Sequence, residues 1–349
     1  MQLPLPAELG YRWPAEWEPH ASTWVSWPHN RNSWPEHFEP VPEEFAQFVR
    51  TLAQFEPVNI EAGGAEVLAE ARRLVGHLPN VQIHNFPTND AWCRDHGPIF
   101  LSGPRELPAA LVDWEYNAWG GKYPPFDLDN ASPQRIAALL GRQRFTPGIV
   151  LEGGAIDGNG RGTILTTEMC LLNPNRNANL DRAGIEGYLR DYLGAQKVLW
   201  LSGGEIEGDD TDGHIDQLAR FVNPTTIAAA SCDDPSDANY EPLRENLKQL
   251  RAMTDQDGRP LQIVELPLPR PLFCDGQRLP AGYCNFLIVN GGVIVPQFGD
   301  PHDVQAIDIL QSLMPQHRVV GSPSLHLIWG LGSFHCLSQQ EPLPHAGCE

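Results

Sequence analysis

Basic residues are scarce in this chain. It carries 24 Lys and Arg against 44 Asp and Glu over 349 residues, a formal net charge of −20. A field of that sign repels phosphate backbones and anionic lipid headgroups, which argues against nucleic-acid and membrane partners, and it attracts cations. Long apolar runs are missing too: none approaches the roughly 18 residues of a membrane-spanning helix. The opening MQLPLPAELG has neither a basic n-region nor an apolar h-region, so no signal peptide is read there and a soluble protein is expected. The seven cysteines follow no regular spacing, and with 41% hydrophobic residues the chain can build a core without disulfide staples. That combination predicts a reducing, cytoplasmic setting. Cys170, Cys232 and Cys284 lie in or beside apolar runs and read as inert core thiols. No G-x-S-x-G elbow is present, which weighs against a serine hydrolase.

What is present is a cadence. Apolar stripes at helical spacing run through Phe45, Phe48, Val49, Leu52 and Phe55, and through AEVLAEARRLVG. A short helix is predicted at SPQRIAALLG, with Ser132 as cap and Pro133 in the first turn. Further stripes comprise Ile185, Tyr188, Leu189, Tyr192 and Leu193; Tyr240, Leu243, Leu247 and Leu250; and Val304, Ile307, Leu310 and Met314. Between them stand β-type runs such as STWVSW, PVNIEA, KVLWLSG, TTIAAAS and LQIVEL. Two hairpins are predicted, NFLIVNGGVIVPQF on its Asn-Gly turn and AIDGNGRGTILTT on Gly-Asn-Gly. Length alone suggests two domains. Yet no low-complexity linker or composition shift divides the chain, and strands plus one helix recur about every 50 to 65 residues. That favours a single domain, 1–349, of similar α/β modules around a centre. An open parallel sheet in two lobes remains the competing architecture.

Four stretches gather polar residues beside glycine, where strand-end loops display chemistry. GDDTDGHID (208–216) crowds Asp209, Asp210, Asp212 and Asp216 round His214. Carboxylates so close raise one another's pKa unless a cation joins them, so the stretch reads either as a cation or acid–base site or as an acidic solvated turn. On an extended segment His214 and Asp216 would face one side. The stretch fails as a calcium loop, because Gly208 stands where the first acid is required. TNDAWCRDHGP (88–98) sets Asp90 and Asp95 about Trp92, a pairing of ring face and acid that suits a planar cation such as guanidinium; the plainer reading is a turn cap, an ion pair and a core indole. LEGGAID (151–157) is the third. In the fourth, GLGSFHCLSQQEP (330–342), Cys336 sits on a glycine-rich entry, where a reachable thiol paired with His214 could act as a nucleophile. Cys93 and His96 have C-x-x-H spacing, but no second ligand pair supports zinc.

Taken in order, WPAEWEPHASTWVSWPHN, TNDAWCRDHGP, YNAWGGKY, LEGGAID, TTEMCLLNPNRN, GDDTDGHIDQLARF and FHCLSQQEP resemble the agmatine deiminase family of guanidino-modifying enzymes over nearly the whole chain. The resemblance implies an α/β fold, a five-bladed pseudo-symmetric α/β propeller (the pentein fold). It implies hydrolysis of agmatine to N-carbamoylputrescine and ammonia through a covalent amidino-cysteine, with no metal and no organic cofactor. Cys336 would be the nucleophile and His214 the general acid/base, with Asp95 and Asp216 gripping the guanidinium. Glu152 and Asp210 are carried over as substrate contacts, Trp92 as packing on the bound chain and Trp119 as closing the pocket. The chain departs from the pattern at Cys93, His96, the GLGSFHC loop and Gln217. A deiminase of peptidyl-arginine or free arginine is the nearest rival, with Arg94 and Lys122 as candidate partners for an α-carboxylate. A non-catalytic propeller binding cationic ligands is the rival of another class. Relatives are often oligomeric, and a homo-oligomer stays open.

Overall fold

The computed structural model describes residues 4–343, so both ends of the expected 1–349 domain lie outside it. Five sheets repeat one pairing rule. In the sheet of Ile99–Leu101, Ala110–Val112 and Arg144–Phe145, the first strand runs antiparallel to the second and the second parallel to the third. The same order holds for Ile156–Gly158, Thr163–Thr167 and Lys197–Leu201. It holds again for Ala219–Asn223, Thr226–Ser231 and Gln262–Pro267, and for Leu287–Val289, Gly292–Gln297 and Arg318–Pro323. The fifth sheet joins the chain's two ends: Ser338–Pro342 lies antiparallel to His20–Ser26, which runs parallel to Val58–Glu61, and Val81–His84 adds a fourth strand.

A parallel pair needs a crossover, and each module supplies one helix for it. These helices are Val41–Leu52, Ser132–Leu140, Arg182–Leu193, Tyr240–Ala252 and His302–Leu313. Val41–Leu52 shows why they fold so: Val41, Phe45, Phe48, Val49 and Leu52 fall on one face and are buried, while Glu43 and Gln47 point outward. Ala65–Val75 is an extra helix in the sheet that joins the ends.

The five modules close into a ring, which excludes the open two-lobed sheet. Just before the first strand of each sheet the chain makes a short turn, and these turns meet. Arg94 donates its N–H to the Cys336 carbonyl at 3.1 Å, and the Gly154 N–H reaches Asp95 Oδ1 at 3.0 Å. Gly154 in turn lies against His214. Cys284 Sγ contacts the Leu218 carbonyl at 3.6 Å, and the His335 N–H donates to the Asn285 carbonyl at 3.2 Å.

Three expectations need correction. Ser132 does not cap its helix; its hydroxyl donates to Glu61 at 2.8 Å, and Ala131 holds the cap position. The stripe on His302–Leu313 is rotated: Val304 is 64% exposed, whereas Asp303 turns inward to accept the N–H groups of Phe298, Gly299 and Asp300. Cys232 is only half-buried, because it follows the end of its strand.

Candidate active site at the centre of the ring

The central turns carry the four polar stretches. Cys93–His96 is one helical turn that holds Asp95, Gly153–Ala155 follows Glu152, and Ile215–Leu218 starts directly after His214. His214 and Asp216 therefore do not share a face of an extended segment, as spacing predicted; a helical turn aims both at the centre.

Cys336 Sγ lies 3.4 Å from Asp216 Oδ2 and receives the Asn285 amide N–H at 3.0 Å. Asp95 Oδ1 lies 3.6 Å from His214 Nδ1, and its Oδ2 accepts the Trp119 indole N–H at 3.0 Å. A β-carbon placed on Gly154 would stand 2.6 Å from His214 Nδ1, 2.8 Å from Asp95 Oδ1 and 3.1 Å from Asp216 Oδ2, so the three groups converge on one point. Neither ring nitrogen of His214 has a conventional hydrogen bond, and Asp216 Oδ1 is likewise unpartnered. These are buried polar atoms without a hydrogen bond of ordinary length, and such atoms mark a place built for a polar visitor.

The electrostatics follow from burial and neighbours. Burial opposes charge on His214, but Asp95, Cys170 and Glu152 outweigh it and push the imidazole up to about 10. Asp95 rises to about 6, chiefly through burial, with Asp216 and Glu152 adding to it against the pull of His214. Asp216 is lowered: burial works upward, but His335 holds the carboxylate in its charged form. Burial, Asp216 and Asp95 drive the Cys336 thiol well above its ordinary range. The groups left at neutral pH are a protonated imidazole, two carboxylates and a neutral thiol.

A cavity of about 440 Å³ leads to this point. Asp95, Cys336, Trp92, Trp119, Asp90 and Asp210 are among its lining residues, and Trp92 stacks on Trp34 with centroids 5.5 Å apart. Trp119 sits at φ 53 and ψ 46, a left-handed conformation unusual for a bulky residue, in a turn where the Asn117 side chain accepts the Gly120 N–H. Asp210 holds Tyr123 and Lys122, and thus stands at the outer wall. His214, Asp216 and Glu152 are not on the lining; all three are fully buried behind it, and Glu152 is paired with Arg176 at 2.6 Å and within 4.8 Å of His214 and Cys170. Cys93 and His96 are buried on the same turn as Asp95, with His96 Nε2 at 3.5 Å from Ser26, and they do not gather with His214 into a ligand set. Arg94 is buried off the cavity wall and gives Nη1 to Gln339 and Gln340, and Lys122 is held by Asp210 and Asp212.

Sequence reasoning missed Asn285, His335 as a support, and Glu16. Asn285 Oδ1 accepts the N–H groups of Ser333, His335 and Cys336, which fixes the thiol loop. His335 bridges two carboxylates, meeting Asp216 through Nδ1 at 2.7 Å and Glu16 through Nε2 at 2.9 Å. Glu16 continues to Arg220, which reaches Asp157 at 3.1 Å. Asn285 was within reach of the module cadence: it stands just before Leu287–Val289, the first strand of its repeat, as Asp95 and Asp216 stand before the first strands of theirs.

A ring of five such modules with a thiol and two acids at its hub defines the pentein class. The dimethylarginine dimethylaminohydrolase structure has this fold, at a TM-score of 0.51 and 14% identity over 92% of this chain and 99% of that one. The family model for Porphyromonas-type peptidyl-arginine deiminase matches residues 12–342. An agmatine deiminase of Pseudomonas savastanoi pv. phaseolicola is 39% identical, covering 97% of this chain and 98% of its own. The agmatine deiminase structure of Enterococcus faecalis superposes at a TM-score of 0.92 with 34% identity, covering 98% and 99%. The chain belongs to this deiminase family, and agmatine deiminases are among its full-length relatives.

Proposed function

We propose that residues 1–349 form one catalytic domain, acting in the cytoplasm, that hydrolyses agmatine to N-carbamoylputrescine and ammonia. A guanidinium carbon is a poor electrophile, so orientation and charge must do much of the work. Asp95 and Asp216 take the edges of the cation, which also offsets the two negative charges that keep Cys336 protonated. The Cys336 thiol releases its proton to solvent as the cation binds and regains one when the product departs, and the thiolate so formed adds to the central carbon. His214 gives its proton to the departing nitrogen, ammonia leaves, and an amidino-thioether remains on Cys336. Neutral His214 next takes a proton from water as the oxygen adds, and collapse expels the thiolate and leaves the urea. The remaining proton ends on ammonia as ammonium.

One observation carries the choice of substrate. The cavity wall holds Asp90, Asp95, Asp210 and Asp275 and, among the described residues, no lysine or arginine. A dication fits such a wall, whereas the α-carboxylate of arginine would face these acids with no lysine or arginine on the lining to pair it, and like charges juxtaposed cost several kcal/mol. Ammonia release should therefore favour agmatine over arginine and an arginine peptide by about 100-fold or more in kcat/KM. Cys336→Ser should abolish it. Comparable turnover of arginine would overturn the substrate choice, and normal turnover by Cys336→Ser would overturn the mechanism.

A further inference from the structure

At the outer end of the same cavity, away from the thiol that the mechanism uses, three side chains of different ligand chemistry meet. His37 Nε2 lies 3.1 Å from Asp275 Oδ2, Asp275 Oδ2 lies 4.0 Å from Cys274 Sγ, and all three ligand atoms fall within 4.8 Å of one another. We propose that His37, Cys274 and Asp275 form a binding site for a borderline-soft transition-metal ion such as Zn²⁺, which closes the mouth of the cavity when bound.

The geometry is close to what the ion asks for. Zinc bonds of 2.0 to 2.3 Å in a tetrahedron put ligand atoms about 3.5 Å apart, and the separations of 3.1 and 4.0 Å bracket that spacing. Imidazole, thiolate and carboxylate together suit zinc better than a hard ion such as calcium, and the fourth position is left to water. Adjacent residues on a strand face opposite sides, yet Cys274 and Asp275 converge. The cause is the Asp-Gly turn at the tip of the Phe273–Cys274/Gln277–Arg278 hairpin, where Asp275 takes φ 50 and Gly276 φ 81, which turns the carboxylate back. Arg278 anchors the hairpin to Asp237 at 2.7 Å and to Glu207 at 2.9 Å. His37 arrives from the opposite end of the chain and is oriented by Trp329, with ring centroids 4.7 Å apart. Binding joins the hairpin to the segment before Val41–Leu52, displaces the Cys274 thiol proton and neutralises Asp275, one of the four acids facing the cation.

The test uses the full chain carrying Cys336→Ser, so that the inner thiol is absent, and Co²⁺ as the probe. One equivalent of Co²⁺ should bind with a thiolate-to-metal charge-transfer band, and Zn²⁺ should displace it. Adding Cys274→Ser should remove the band, and adding His37→Gln should weaken binding at least about tenfold. No band in Cys336→Ser, or a band that survives Cys274→Ser, overturns the site. In the protein with Cys336 intact, Zn²⁺ should raise KM for agmatine, reversibly with a chelator, and Cys274→Ser should be at least about tenfold less sensitive. Equal sensitivity would place inhibition elsewhere and overturn the closing role. The Co²⁺ measurement needs no turnover, so it decides the site even where the proposed activity fails.

Discussion

Asp95 and Asp216 flank one thiol yet depart from the ordinary carboxylate range in opposite directions. The difference lies in what stands behind each. Asp216 has the His335 ring at 2.7 Å, itself held by Glu16, so its charge is compensated from within. Asp95 has only Trp119, a backbone N–H and His214 at 3.6 Å, and burial pushes it up to about 6. In the proposed mechanism Asp95 grips the cation only as the carboxylate, so activity should be full above that value and fall as pH drops through it. The acid limb of kcat/KM should have its midpoint near 6, falling about tenfold per unit below that. Asp95→Asn should lower the plateau and erase the limb. A limb centred at an unshifted carboxylate value, or one that persists in Asp95→Asn, would assign it to another group.

The elements that matter most for chemistry are the smallest. Strands and long helices build each module, but the hub is made of single helical turns that precede the first strands. Such a turn points one side chain inward and passes its backbone close to its neighbours, and Gly153–Ala155 is the tightest case. Replacing Gly154 by Ala would drive a methyl into His214, Asp95 and Asp216 at 2.6 to 3.1 Å. Overpacking of that kind costs about 1–3 kcal/mol in stability, while displacement of catalytic groups by about 1 Å costs on the order of 100-fold in rate. We expect Gly154→Ala to fold, with a modest fall in Tm, and to lose at least about 100-fold in kcat/KM. Wild-type turnover in that variant would show that the three groups need not converge there.

For the whole molecule, the relevant property is the charge of −20 and where the acids stand. Four of them line the entry to the hub, so the general field and the local one have the same sign. A cationic substrate is then steered inward, and kcat/KM for agmatine should fall as NaCl rises from about 0.01 to 0.15 M, where the screening length shrinks from about 30 to about 8 Å. A response flat in salt would confine the role of charge to the hub contacts.

Much of this was open to a reader of the chain alone. Hydrophobic periods of two and 3.6 residues mark all five crossover helices and most second and third strands, because those elements bury one face through local pattern. The polar stretches around Asp95, Asp210, His214 and Cys336 were visible because acids, a histidine and a thiol beside glycine have no use in a core. The tertiary structure alone decided what those stretches share. Ser338–Pro342 reads as polar and is a fully buried strand, since Arg94 satisfies Gln339 and Gln340 from another module. Asn285, Glu16 and the His335 bridge act only across module boundaries, at separations of 48 to 319 residues. No local pattern encodes such contacts, because the partner that gives each residue its role is brought near only when the ring closes.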